Sequence, residues 1–96
     1  MSNYIVTTID PDYLSETHTV GNTSAQSSVI TTGSGLVRIS TTTHCHIKFG
    51  ANPTATEEDL MLPANHVEIF SFVSGQKVAF IHHGGGAGEI NISAVD

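Results

Sequence analysis

Ninety-six residues with a formal charge of −6 make one domain and leave no room for a second. Arg38, Lys48 and Lys77 are the three cations set against nine acids, a balance that opposes binding to nucleic-acid phosphates or to an anionic membrane surface. The single cysteine, Cys45, rules out an internal disulfide, so a metal or association with other chains remains as the added support so small a domain often needs.

Only 12% of residues are charged, against about 25% in an average soluble domain. Thr, Ser and nine glycines supply the polar surface instead, which favours strands with hydroxylic outer faces joined by tight turns. No apolar run approaches the ~20 residues of a membrane-spanning helix. The opening MSNYIVTTID lacks the basic start and apolar core of a signal peptide, so a cytosolic site of synthesis is expected.

In chain order, residues 1–34 are rich in Thr, Ser and Asn. YIVTTI (4–9) has strand-forming residues, PDYLSET (11–17) reads as a turn, and Val29-Ile30 is the best strand signal of the weakly patterned 18–35. This third is expected to be an N-terminal arm or edge segment, with Tyr4, Ile5 and Val6 as candidate contacts to another subunit or a capsid surface. Residues 35–96 read as the sandwich core, because alternation of period two becomes clear. Val37 and Ile39 share one face of LVRIS. Cys45, Ile47 and Phe49 oppose His44, His46 and Lys48 in HCHIKFG. TATEEDLML (54–62) is expected to be a loop, with Thr56 able to cap one turn. HVEIFSFV (66–73) sets Val67, Ile69 and Val73 against Phe70 and Phe72. Val78 and Phe80 pair in QKVAFIHH, HHGGGAG (82–88) reads as a flexible hairpin connection, and EINISAV aligns Ile90, Ile92 and Ala94. Such spacing predicts an all-β fold, an antiparallel sandwich or a jelly-roll-like small barrel.

The chemical candidates each meet a blander reading. His44 and His46 stand two apart on a strand and could share a metal ion, with His82 or His83 adding a ligand. That arrangement would resemble a cupin-type site, but HCHIKFGANPT carries no acid until Glu57. The favoured reading makes both histidines solvent-facing and Cys45 an inert core thiol, so no metal, cofactor or catalytic residue is expected. Glycines 84–86 lack the Lys and Ser/Thr of a phosphate loop. Glu57-Glu58-Asp59 reads as a solvated acidic loop. Phe70 and Phe72, opposite another apolar row on the same strand, are expected to meet a neighbouring subunit or shell.

A resemblance rests on several marks taken together: FGANPTAT (49–56), LPAN (62–65), the aromatic strand Ile69–Phe72, and GQKVA (75–79). Over residues 36–95 the chain resembles small virion proteins of tailed bacteriophages. The resemblance implies a non-enzymatic accessory part, foremost a capsid cement or decoration protein, located on the capsid exterior. Its implied partners are the major capsid protein or other virion proteins and copies of itself, a trimer being favoured. A neck, tail or fibre part is the alternative within that class; a cupin-like metal protein is the alternative outside it.

Overall fold

A computed structural model describes residues 15–95. Eight strands form two four-stranded antiparallel sheets packed as a β-sandwich, as the alternation predicts. They are β1 (Glu16–Val20), β2 (Ala25–Gln26), β3 (Leu36–Thr41), β4 (Cys45–Gly50), β5 (Leu60–Leu62), β6 (Val67–Ser71), β7 (Lys77–His82) and β8 (Gly88–Val95). The first sheet has the order β1-β8-β3-β6 and the second β2-β7-β4-β5.

The core is the sum of the inward rows. Val37 and Ile39 of β3, Ile90 and Ile92 of β8, Cys45 and Ile47 of β4, and Val78 and Phe80 of β7 are all buried. Each large side chain so removed from water contributes roughly 1.5–3 kcal/mol. Register keeps the rows aligned: Ile39 faces Ile92, and Ile47 faces Phe80. A slip of one residue would turn every one of these groups to solvent. The opposite face of the first sheet is hydroxylic, as composition suggests; Asn91 donates to Ser15 and Thr17, and Ser93 bonds Ser15.

Three expectations are corrected or narrowed. HHGGGAG is not a hairpin, because β7 and β8 belong to different sheets and the glycines carry the chain between them. Positive φ at Gly84, Gly85 and Gly86 permits that reversal. Immediately beyond, a Cβ on Gly88 would lie 2.4 Å from Thr43 Cγ2, so only glycine fits there. Second, of the arm and edge readings of the N-terminal third, the described part takes the edge form, with β1 and β2 as edge strands of the two sheets rather than a free arm. β1 pairs with β8, β2 pairs with β7, and Val20 and Ile30 sit in the core. The expected contacts Tyr4, Ile5 and Val6 lie outside the described residues. Third, part of TATEEDLML is a strand, since β5 pairs with β4 from Cys45↔Leu62 to Ile47↔Leu60.

Phe70 and Phe72 point inward. Both pack against the core beside Phe49, with ring centroids 5.9 and 5.7 Å away. The apolar groups left to solvent on that stretch are Val67, Ile69 and Val73. The alternation is as read, but Phe70 and Phe72, expected to meet a neighbouring subunit or shell, lie on the inner side, and the exposed row is the aliphatic one.

Candidate functional site

Cys45 lies in the core as expected, and burial raises its thiol above the ordinary range while a hydrogen bond to Thr41 pulls the other way. Such a thiol is poorly nucleophilic. Its two histidine neighbours diverge. His44 precedes β4, is exposed, and accepts the Ala64 N–H at Nδ1 (3.0 Å). His46 is on the outer face of the second sheet, yet it is only 4% exposed. The solvent-facing reading of His46 is therefore wrong, and the cause is the loop that follows its own strand.

Residues 51–59 fold back over the outer face of that sheet. Gln26 of β2 donates to the Asn52 side chain and the Pro53 carbonyl, and Ala55 N–H donates to Ser24 Oγ at 2.8 Å. The tip is a turn: Thr56 N–H donates to Asp59 Oδ2 and Asp59 N–H to the Thr56 carbonyl. Thr56 thus opens one turn, as the sequence allows. Pro53 and Ala55 are buried in the process, as are His46 and Ala79 on the sheet face.

The turn delivers two groups to the histidines. The Asp59 carbonyl accepts from His46 Nδ1 at 2.8 Å, which fixes the ring tautomer and leaves Nε2 unprotonated. His46 Nε2 lies 2.8 Å from His83 Nδ1. Glu57 Oε1 stands 3.6 Å from that same His83 nitrogen and accepts the Gly84 N–H at 3.0 Å. His46, Glu57 and His83 therefore converge, with one donor atom of each within 4.8 Å of the others. His82 does not join; its Nε2 bonds Thr43 Oγ1 at 2.5 Å on the inner side of the sheet, and its buried Nδ1 has no protein partner.

Of the histidine set read from the sequence, the fold thus brings together His46 and His83 and leaves out His44 and His82. Glu57 is the member that sequence reasoning missed. Its one signal was to be the next acid after the histidines, eleven positions beyond His46, too far for strand geometry to link them. The acidic run does not converge on itself, because Asp59 is occupied by the turn while Glu57 reaches across to Gly84.

A second cluster closes one flank. Glu16 of β1 bonds His18 Nε2 (2.7 Å), Ser28 N–H (3.2 Å) and Ser28 Oγ, tying the first sheet to the segment after β2. The opposite flank leaves apolar side chains exposed: Leu60 and Met61 of β5 and Val67 and Ile69 of β6 are 40–54% exposed, with Val67 and Ile69 on the outer face of the first sheet and Met61 on that of the second. No helix among the described residues is long and apolar enough to cross a membrane.

Protein-family models, curated proteins and solved structures were each compared with this chain, and none gives a match.

Proposed function

We propose that this chain is a non-enzymatic structural protein that works by docking on other protein surfaces, as a capsid cement or decoration protein of a tailed bacteriophage. The observation that carries the docking part is the apolar flank formed by β5 and β6. These are the outer strands of their sheets on one side of the sandwich, joined by the turn at residues 63–66. A strand edge offers N–H and C=O groups to a partner, and apolar side chains beside it add the area that makes pairing stable. Repetition over a shell would then let many modest contacts act together.

The phage part rests on the resemblance of residues 36–95 alone. The structure gives its quoted marks physical roles, because FGANPTAT is the segment that ends β4 and folds over the sheet, and LPAN is the turn between the two apolar strands. A neck, tail or fibre location fits the same flank equally well.

Light scattering on the purified full chain across micromolar to millimolar concentrations tests the docking reading. A discrete self-associated species, the trimer foremost, that reverts to monomer in a Val67→Lys/Ile69→Lys variant is expected. A wild-type monomer throughout, or an oligomer indifferent to both lysines, overturns self-association through this flank. For the phage reading, the chain should co-purify with tailed particles in many copies and give density on the capsid exterior. Its absence from the particles overturns that reading.

A further inference from the structure

The convergence of His46, Glu57 and His83 suits a chemistry separate from docking. Two imidazoles and one carboxylate are the donor set of an open zinc site, in which a water completes a tetrahedron. In such a site, bonds of about 2.0–2.1 Å place neighbouring ligand atoms about 3.3 Å apart. The observed separations, 2.8 Å for His46 Nε2 to His83 Nδ1 and 3.6 Å for His83 Nδ1 to Glu57 Oε1, straddle that value. Glu57 and His83 are exposed side chains on loops, so sub-ångström adjustment meets little resistance.

The supporting contacts are those a metal ligand requires. His46 is held on β4, and its Nδ1–H donates to the Asp59 carbonyl, so Nε2 is the unprotonated nitrogen; its lone pair points to His83 Nδ1, which a cation between the two rings would replace as its partner. Glu57 is oriented by the Gly84 N–H. His83 is anchored at its backbone, where its N–H donates to the His44 carbonyl at 3.0 Å. Three chain segments thus supply one ligand each; His46 carries a protein hydrogen bond on its far nitrogen, and Glu57 accepts one at Oε1 itself.

We propose that His46 Nε2, His83 Nδ1 and a Glu57 carboxylate oxygen bind one zinc ion, with water in the fourth position, and that the ion clips the 51–59 loop to the glycine turn after β7. This set differs from the His44/His46 pair that strand spacing suggests; His44 is turned to Ala64 and takes no part. The clip is a site of order, because it fastens the loop that covers the second sheet to an element of another connection.

Calorimetric titration of zinc chloride into the chelator-treated full chain tests this directly. One equivalent is expected to bind, with a rise in thermal midpoint that grows with zinc concentration. His83→Ala, an exposed change that should leave the fold intact, should weaken binding by about 100-fold or more, and Glu57→Gln by about tenfold. His44→Ala should bind as the wild type does. Cobalt(II) in place of zinc should give the intense visible absorption of a four-coordinate ion, lost in His83→Ala. Failure of the wild type to bind zinc, or binding that survives His83→Ala, overturns the site. So does binding that His44→Ala abolishes.

Discussion

The two flanks of the sandwich come from the same eight strands and are finished in opposite ways. Along the β1/β2 flank, Glu16 spans the gap between sheets and bonds Ser28 and His18, while the His18 ring leans on Phe80 at 5.4 Å. Along the β5/β6 flank, aliphatic groups stand in water above an aromatic cluster of Phe49, Phe70 and Phe72 that is only partly buried. One side satisfies its polar groups within the chain; the other leaves apolar area unsatisfied. The difference teaches that size alone does not dictate an incomplete core. A carboxylate ties the sheets together along one flank, and along the other the exposed aliphatic groups have no counterpart within the described residues.

The largest effects lie in the core. Phe80 is fully buried beneath the closed flank, and Phe80→Ala should cost about 3–5 kcal/mol, enough to unfold a domain of this size. Phe49→Ala beside the open flank should cost less, about 2 kcal/mol, because part of its ring already meets water. Chemical denaturation ranks the two, and a larger loss at Phe49 would make the open flank the better-packed one. Next in size, Glu16→Ala should cost about 1–2 kcal/mol by leaving Ser28 and His18 without their acceptor.

Cys45 offers a smaller, pH-dependent effect that sharpens the contrast, since it sits opposite Leu62 of β5. Its thiol is raised in the fold, chiefly by burial. Its contribution to stability is therefore fully present below the ordinary thiol value of about 8.5 and is lost as pH rises from there through the folded-state value. Cys45→Ala should flatten the alkaline side of the stability profile, and iodoacetamide should label the native thiol only as fast as β5 opens. Labelling at the rate of a free thiol would mean that the open flank frays. The smallest effect on folding belongs to Val67→Lys/Ile69→Lys, within about 0.5 kcal/mol for exposed positions. Urea midpoints check it; a large loss would show that these side chains support the monomer.

The strands between residues 36 and 95 that carry the core were legible because their inward rows alternate cleanly, from Val37/Ile39 to Ile90/Ile92. β1 was not, since ETHTV puts Glu16 and His18 on the inner side and hydroxyls on the outer, so neither face reads as apolar. β5 is three residues long and follows an acidic run, too short for a period to register. His46 marks the limit of the site reading. Strand spacing correctly put it opposite Cys45, but whether an outward side chain meets water depends on where a later loop lands. That landing is set by Ser24 and Gln26, which lie before it in the chain and far from it in sequence.

The position of β8 has a consequence for how the chain is made. It lies between β1 and β3, bonded to both, although it is the last of the eight strands to be synthesised. Until it emerges from the ribosome, β1 and β3 face a gap of about 10 Å, two strand spacings, that no earlier segment can fill. The first sheet therefore cannot be completed during translation of the preceding strands; β3 and β6 can pair, but β1 and the free side of β3 wait for β8. Completion waits for pairings between distant parts of the chain, a topology that folds in milliseconds to seconds rather than microseconds. A product cut short before residue 88 lacks the strand that joins both halves of that sheet, and proteases acting on unfolded chains would clear it.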